Sequence, residues 1–423
     1  MVVTSLMLTQ PSTVPEPPEG GLSDASTHDV GRLPSKAVRR AAVVVYVLGA
    51  VVLGAVIAAS VAPSRWFIDK ERCSERNEAG DCISTVTEPA EFALVPANAA
   101  PVDPLLDISG TEVYDDEGGF LFVTVREPRL SMLDWLAARN DPAARLRSYI
   151  EKYGDRSPED VRQQGQRQMS GAKEWAIYVA LSRAGLDAEF VPGPAVVDYV
   201  LCLEANADGS DCVKFPPSGD VLQPNDVIVE ADGVEVRTLA DLSPIIAERS
   251  PGDTITLVIQ RGDETVSGEV ELIAAPDEPE RTIIGFMPVD TTTLRMPDGV
   301  TVDFDTGGIG GPSAGLAFTL ALLDAVTDGD LTGGVEIAVT GSIDPDGNVG
   351  AIGGLSAKAE AVRQMGVRYF LVPASQPPDG FDSIAAAQAA VGDEVELIPV
   401  ATLDEALQVL GELGGDPLTD AAG

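Results

Sequence analysis

Basic side chains and histidine are scarce in this chain. Of its 423 residues, 28 are Lys or Arg and 67 are Asp or Glu, so the formal net charge is −39, and the one histidine is His28. Surplus negative charge repels nucleic-acid phosphates. The composition therefore excludes a nucleic-acid partner, while the 44% hydrophobic content allows two or three folded modules.

Cysteine is also rare, and its four residues fall into two close pairs, Cys73 with Cys82 and Cys202 with Cys212. In an oxidising compartment each pair could close a small loop. Neither pair has the spacing of a zinc knuckle and no histidine is near, which disfavours a metal site. Two disulfides are predicted, and free thiols are the other alternative.

Charge is absent from residues 41–62, AAVVVYVLGAVVLGAVIAASVA. As a helix this run spans roughly 33 Å, enough to cross a hydrocarbon core of about 30 Å. A cleavable signal peptide is the rival interpretation because Ser60 and Ala62 flank Val61 in a small-x-small pattern. The run exceeds the usual apolar region of about 7 to 15 residues, which favours a retained transmembrane helix.

Positive charge is concentrated before this segment, at Arg32, Lys36, Arg39 and Arg40. Arg65, Lys70 and Arg72 weaken the contrast on the other side. The bias predicts a single-pass membrane protein with a cytoplasmic N-terminus and extracytoplasmic folded domains. His28 then lies across the membrane from them.

The remaining segments are assigned from composition and periodicity. They are a disordered tail (1–40), an extracytoplasmic stalk with the first strands (63–119), a helical region (120–185) and a terminal tail (416–423). In the helical region, Ser157 and Pro158 start a helix that Gly185 ends. Its core-facing residues are expected to be Met169, Ala172, Trp175, Ala176, Val179 and Ala180. Ser170 and Lys173 match S-x-x-K by accident, because the accompanying penicillin-binding motifs are missing.

Residues 186–274 combine a turn at Asn225-Asp226, the strand VIVEADG, a helix opening at Thr238 and the strand TITLVIQRGD. This order resembles a PDZ domain, with Asn225 where glycine is usual. The resemblance implies that a peptide could add as a strand between the helix at Thr238–Arg249 and the strand near Val196–Leu201. A groove that is filled, or that packs on a neighbour, is the alternative.

A glycine-rich loop, GGIGGPSAG at 307–315, joins a predicted strand to a long apolar helix. It is not a Walker A loop, since no lysine occurs between Arg295 and Gly329. A dinucleotide loop fits poorly because Ser313 replaces the third glycine and Pro312 lacks an amide donor. The G-x-S-x-G pattern fits a nucleophilic serine. A Ser-His-Asp triad is excluded, because the one histidine, His28, lies in the tail on the other side of the predicted membrane segment.

Lysine is the remaining candidate base. Leu355, Lys358, Val362 and Met365 form one stripe of a predicted short helix, so the Lys358 amine would be desolvated. Burial lowers a lysine pKa by up to several units, and a neutral amine is a competent base. An amine that reaches out to water is the alternative.

Together the two motifs resemble the proteolytic domain of the Lon family over residues 281–415. The resemblance rests on G-P-S-A-G, on Thr340-Gly341 after VEIAV, on G-x-V-x-x-I-G-G-L-x-x-K at 347–358, and on FLVPA. It implies that Ser313 is the nucleophile and Lys358 the base of a dyad, with Thr340 orienting the amine. Gly310, Gly311 and Ala314 are expected beside the oxyanion, with the N–H groups of Ser313 and Gly311 as donors. Gly310 stands where Lon proteases usually carry an acidic residue.

The fold class expected is therefore α+β and multidomain: one N-terminal transmembrane helix, a PDZ-like domain and a Lon-type proteolytic domain. This order resembles the membrane-anchored bacterial PDZ-Lon peptidases, which implies an ATP-independent serine endopeptidase acting on unfolded or flexible extracytoplasmic segments. Protein or peptide substrates and the membrane are the expected partners, with no nucleotide, cofactor or metal, and a homo-oligomer is implied by resemblance alone. The alternative function is a membrane-tethered binding protein with an idle Lon-like domain.

Overall fold

The structure is a computed structural model that describes residues 36–76, 82–114, 117–154, 156–205, 212–276, 278–289 and 291–418. The predicted tail up to residue 35, with His28 and Arg32, and the chain end at 419–423 lie outside the described residues. The chain divides into one unit up to Ala59 and another from Ser60 onward.

The helices of the described residues are α1 (Lys36–Val61), α2 (Met132–Ala138), α3 (Tyr149–Tyr153), α4 (Pro158–Arg183), α5 (Leu239–Ala247), α6 (Gly315–Val326), α7 (Leu355–Met365), α8 (Ile384–Val391) and α9 (Leu403–Leu413).

The strands before the PDZ-like region are β1 (Asp69–Arg76), β2 (Cys82–Pro89), β3 (Phe92–Pro101), β4 (Leu106–Ser109), β5 (Gly119–Arg126), β6 (Arg145–Arg147) and β7 (Glu189–Val191). The strands within that region are β8 (Ala195–Val200), β9 (Glu204–Ala205), β10 (Cys212–Lys214), β11 (Val227–Ala231), β12 (Val234–Glu235), β13 (Thr254–Arg261), β14 (Glu264–Glu271), β15 (Ile273–Ala274), β16 (Thr282–Ile283) and β17 (Phe286–Val289). The strands after it are β18 (Thr293–Arg295), β19 (Thr301–Phe304), β20 (Glu336–Val339), β21 (Ser342–Ile343), β22 (Val349–Gly350), β23 (Tyr369–Pro373) and β24 (Glu396–Val400).

Helix α1 contains the expected apolar run. Its segment Val43–Val61 has a mean hydropathy of 2.5 and is long and apolar enough to cross a membrane by length and composition. The predicted bounds, 41–62, lie within one or two residues of this segment.

The catalytic motifs lie around sheet I, a six-stranded sheet in the order β24-β23-β20-β5-β3-β6. Strands β24, β23, β20 and β5 run parallel, while β3 is antiparallel to both β5 and β6. Both faces of the parallel part are covered by helices, as parallel sheets require.

Strand β5 shows how the sequence produces this layering. Successive side chains of a strand point to opposite faces. Phe120 and Phe122 accordingly enter the core beneath α4, α6 and α9, whereas Leu121 and Val123 enter the core beneath α7 and α8. All four are buried, so this run belongs in the middle of a two-sided sheet.

The segment 63–119 was predicted as a stalk with the first strands, and most of its length is strand. Strand β3 lies inside sheet I, β4 pairs with β19, and Gly119 begins β5. We use the term catalytic unit for sheet I with the helices that cover it. This unit does not begin at residue 281, where the Lon-type domain was predicted to start. Sheet I needs strands from both sides of the PDZ-like region, because β20, which follows that region, pairs in parallel with β5, which precedes it.

The PDZ-like region is consequently an insertion in the catalytic unit. Its sheet II has the order β14-β13-β11-β8-β17, with β12 pairing β11. Strands β7 and β18, which lie at the two chain crossings, pair with each other in antiparallel fashion. The insertion is thus tied to the catalytic unit by a two-stranded junction.

The expected PDZ boundary and groove also need correction. The linker at 275–281 does not end the domain, because β17 returns to pair with β8. The edge of β8 that was expected to accept a peptide is occupied by this strand. The alternative of a filled groove applies to the edge of β8, because β17 pairs there. Strand β17 is therefore one of the two edge strands of sheet II.

Local predictions in these regions are confirmed except at Trp175 of α4, which is 40% exposed and does not face the core. Helix α4 starts with a capping box of Ser157 and Asp160, and both disulfides, Cys73–Cys82 and Cys202–Cys212, are formed. Asn225 has a φ of 70°, the left-handed conformation that glycine would supply and that Asn tolerates best among other residues.

A buried ion pair stabilises sheet II. Asp226 is 0% exposed and accepts two hydrogen bonds from the guanidinium of Arg261, at 2.8 and 2.7 Å, and one from the N–H of Gln223. Burial alone would raise the pKa of Asp226, but these hydrogen bonds outweigh it and hold the pKa below its usual range. The carboxylate is therefore ionised at neutral pH and fully paired.

Replacing Asp226 by Asn should lower the free energy of local unfolding of sheet II by about 2 kcal/mol, the scale of hydrogen bonds to charged groups. The reason is that Arg261 would lose its charged partner in a partly buried site. Hydrogen exchange of the β11 and β13 amides would measure this separately from the catalytic unit. Asp263→Asn, in the exposed β13–β14 turn, is the matched control. Equal exchange in the two variants would contradict the assignment.

Candidate active site

Ser313 lies at the junction between the glycine-rich loop and the buried helix α6. The loop is anchored to the end of β20, since the N–H of Gly341 donates to the Ser313 carbonyl at 3.0 Å and the N–H of Leu316 donates to the Gly341 carbonyl at 3.1 Å. Helix α6 is apolar on nearly every face and lies between sheet I and α4, so it holds the serine on a rigid base.

Lys358 lies on α7, on the face of the helix that packs against sheet I. Its residue is 2% exposed, and Leu355 and Val362 on the same stripe are fully buried. Met365 departs from the predicted stripe and is exposed, because it lies in the last turn before Gly366. The lysine therefore points into the protein, and the alternative of an amine in water does not hold.

The Lys358 amine contacts three oxygen atoms. Its Nζ lies 2.9 Å from Ser313 Oγ, 3.0 Å from Thr340 Oγ1 and 2.6 Å from the carbonyl oxygen of Val123. Thr340, which is fully buried, donates its own hydroxyl to the Ser313 carbonyl at 3.0 Å. The structure thus brings the three predicted residues Ser313, Lys358 and Thr340 together and adds a backbone group of β5.

Burial lowers the pKa of Lys358 from its ordinary value to about 7. A neutral amine has two N–H groups and one lone pair. The carbonyl of Val123 can only accept, and Thr340 has a free lone pair because its proton is used on the Ser313 carbonyl. These two acceptors take both N–H groups, which leaves the lone pair for the Ser313 hydroxyl.

The donors for a reacting carbonyl differ from those expected. The N–H of Gly311 donates to the carbonyl of Gly165 on α4 at 2.8 Å, so it is engaged in this structure. Among the described residues, the N–H groups of Ser313 and Ala314 have no hydrogen-bond partner. They precede α6, where the helix dipole favours negative charge. Ser313 and Ala314 are therefore the available pair, and Gly311 is not.

Helix α4 explains why Gly310 lacks the acidic side chain. A Cβ built on Gly310 would lie 3.0 Å from the carbonyl carbon of Gly165 and 3.2 Å from its oxygen. The helix backbone thus occupies the space that any side chain at position 310 would need. Neither this contact nor the hydrogen bond to the Val123 carbonyl could be predicted from sequence patterns, because every residue type has the same backbone carbonyl.

A cavity of about 530 Å³ opens over Ser313 and Lys358. Its walls are residues 122–125 of β5, the glycine-rich loop and residues 351–353 before α7. The volume lies within the roughly 300–1,000 Å³ of typical ligand sites. The nucleophile is therefore accessible while the lysine beneath it is not.

A second groove lies in the PDZ-like region, between α5 and β17. It has a volume of about 490 Å³ and is lined by Leu239, Leu242 and Ile246 of α5 and by Ile283, Ile284 and Phe286 on the other side. The edge of β17 that faces this groove has no strand partner among the described residues. An extended peptide could pair with that edge while placing side chains between the strand and the helix.

Comparisons with known proteins agree with this division. Residues 291–411 match the family model of the Lon protease (S16) C-terminal proteolytic domain, and residues 211–272 match that of the PDZ domain. These matches define the class of the catalytic unit, a Lon-type proteolytic domain. More particularly, the chain combines this domain with a PDZ domain, and its sequence carries no Walker A motif.

Individual relatives match the catalytic part alone. The chain is 35% identical to the archaeal Lon protease of Methanocaldococcus jannaschii over 105 residues, which cover 25% of this chain and 14% of that protein. It is 29% identical to the Lon protease of Xanthomonas oryzae over 146 residues, which cover 34% and 16%. The chain thus spans about a seventh of the length of these relatives.

Among solved structures, the PDZ domain of an SdrC-like protein from Listeria monocytogenes is similar at 25% identity. The match covers 22% of this chain and 88% of that structure, with a TM-score of 0.17.

Adding a methyl group at position 310 should slow catalysis. In Gly310→Ala the loop or Gly165 must give by a few tenths of an ångström, which would shift Ser313 relative to Lys358. Because a displacement of about 1 Å can lower a rate by about 100-fold, this smaller shift should have a smaller but measurable effect. We expect kcat to fall several-fold with little change in KM. Gly308→Ala is the control, because a Cβ there has no neighbour within 4 Å. Similar losses in both variants would contradict the role of α4.

Activity should depend on one deprotonation near pH 7. Below the pKa of about 7 the Lys358 amine is charged and cannot accept the serine proton, and above it the amine is neutral. The rate constant kcat/KM on an uncharged peptide should therefore rise about tenfold from pH 6 to a plateau above pH 8. A midpoint near 10, the ordinary lysine value, would show that the amine is not desolvated in solution.

Proposed function

We propose that this protein is an ATP-independent, membrane-anchored serine endopeptidase with a Ser313–Lys358 dyad. The observation that carries the proposal is the 2.9 Å contact between Lys358 Nζ and Ser313 Oγ, made by an amine whose pKa burial lowers to about 7. The match to a Lon proteolytic domain supports the same chemistry. Peptide hydrolysis is the reaction that such a domain implies.

In this mechanism Lys358 takes the proton of the Ser313 hydroxyl as its oxygen attacks the peptide carbonyl. The N–H groups of Ser313 and Ala314 stabilise the oxyanion, and one such donor is typically worth about 3 kcal/mol. The lysine then gives its proton to the leaving amine, and water hydrolyses the acyl-enzyme. Thr340 and the Val123 carbonyl keep the amine aimed at the serine throughout.

Helix α1 supports the anchoring part of the proposal. The positive residues before it favour a cytoplasmic N-terminus. The two disulfides support the same orientation, because disulfides persist in oxidising compartments and both lie after the helix. The folded domains would then act outside the membrane.

Substrate selection would combine two features. The groove between α5 and β17 would hold an extended peptide, and the cavity over Ser313 would admit a flexible chain. Because no Walker A sequence occurs in this chain, substrates would have to be unfolded or flexible already. The PDZ domain would raise the local concentration of such segments near the catalytic unit.

The test compares the full chain in detergent with its Ser313→Ala and Lys358→Ala variants, using an unfolded protein without ATP. Both variants should lose at least about 1,000-fold in activity, since dyad members act as a unit. Ser170→Ala is the matched control. Ser170 belongs to the accidental S-x-x-K match on α4, is exposed, and should be dispensable.

Unchanged cleavage by Ser313→Ala would refute the dyad. No cleavage by the wild-type chain up to about pH 10, where even an unburied lysine begins to lose its proton, would instead favour the tethered binding protein with an idle domain.

A further inference from the structure

A large groove lies on the outer side of α4, next to the catalytic cavity. We call it the α4 groove; its volume is about 810 Å³, and Arg156, Arg167, Gly171 and Trp175 line it from α4 and its N-terminal side, with Pro312 and Ser342 from the catalytic unit. Pro312 lines both the α4 groove and the catalytic cavity. The α4 groove therefore adjoins the catalytic cavity at this residue.

Trp175 supplies an apolar wall. Its spacing places it among the core residues of α4, yet it is 40% exposed while Ala172 and Ala176 beside it are buried. Gly171, one turn earlier, has no atom within 4 Å of the position that a Cβ would occupy. The missing side chain leaves a notch beside the indole, and an exposed tryptophan next to a notch is suited to hold an apolar side chain.

The charge of the α4 groove is opposite to that of the whole chain. Arg156 and Arg167 line it, and Arg167 forms no ion pair within the part of the chain that the structure describes. The one acidic lining residue, Asp160, accepts hydrogen bonds from the hydroxyl and N–H of Ser157 and is also attracted by both arginines. Two arginines against one aspartate leave the lining with a net charge of +1. A positive site in a chain of net charge −39 favours an anionic ligand.

We propose that the α4 groove binds the part of the substrate polypeptide that flanks the scissile bond and selects segments carrying an acidic and a bulky apolar side chain. The inference rests on the proposed endopeptidase function. Arg167 pairs with the carboxylate, and the apolar side chain occupies the notch beside Trp175. Because the groove adjoins the catalytic cavity at Pro312, the occupant is a substrate segment that extends past this residue. The groove adds a preference that the dyad itself cannot supply.

The experiment uses the full chain in detergent and a set of fluorogenic peptides with one common core. The core peptide fills only the catalytic cavity, and longer peptides add Glu-Glu-Phe or Gln-Gln-Phe on its N-terminal or its C-terminal side. We expect one Glu-Glu-Phe peptide to have a kcat/KM about fivefold above its Gln-Gln-Phe partner, the scale of one or two partly exposed ion pairs.

Arg167→Gln should abolish this preference through KM and leave cleavage of the core peptide unchanged. Arg162→Gln is the matched control, because Arg162 lies on α4 outside the groove and pairs with Glu159. Gly171→Phe should fill the notch and raise KM for every peptide extended on the preferred side. Gly171→Ala, for which there is open space, should not.

Equal cleavage of all extended peptides, with Arg167→Gln and Gly171→Phe behaving as wild type, would overturn the groove proposal and leave the endopeptidase intact. If Gly171→Phe or Arg167→Gln changed the oligomeric state in light scattering and reduced cleavage of the core peptide as well, the groove would be an interface between copies, which also overturns it. Failure of the wild-type chain to cleave even the core peptide would refute the endopeptidase itself.

Discussion

The removal of one amine from water is the constraint on which the rest of the site depends. An isolated buried ammonium is strongly unfavourable, so the amine of Lys358 is stable in its position only when neutral or when every N–H has an acceptor. The three oxygens around Nζ meet both conditions. They can accept three hydrogen bonds from the ammonium, or two from the neutral amine, whose lone pair then accepts a hydrogen bond from the Ser313 hydroxyl. The packing that lowers the pKa of Lys358 therefore also orients its amine toward Ser313.

This arrangement needs the two halves of the chain. The Val123 carbonyl belongs to β5, far upstream of Lys358, and the contact spans 235 residues. Helix α4 packs against α6 and reaches the loop at Gly310, so upstream elements also shape the loop that carries the serine. The Lon-type domain matched at 291–411 is thus completed by strands and a helix that precede the PDZ domain.

The PDZ domain is inserted between these two halves of the catalytic unit. The chain enters the inserted domain through β7 and leaves it through β18, and these two strands pair with each other. Two paired connections restrict the motion of the domain more than one linker would. The strand that follows the insertion's apparent end, β17, forms one wall of the peptide groove. The segment that looks like a linker by composition therefore lines this groove as well, through Glu280 and Arg281.

Local sequence features identified the residues of the site, whereas long-range contacts arranged them. G-P-S-A-G and the lysine in an apolar stripe made Ser313 and Lys358 candidates, and the resemblance to the Lon proteolytic domain assigned their roles. The capping box of α4 and the left-handed Asn225 could be predicted because residue types and spacing carry that information directly. The tertiary structure decided that residues 92–126 enter sheet I, that β17 displaces the expected edge of β8, and that Gly165 engages the Gly311 N–H. Those outcomes depend on strand pairing and backbone contacts between distant segments, and such pairings leave no periodic pattern in either partner alone.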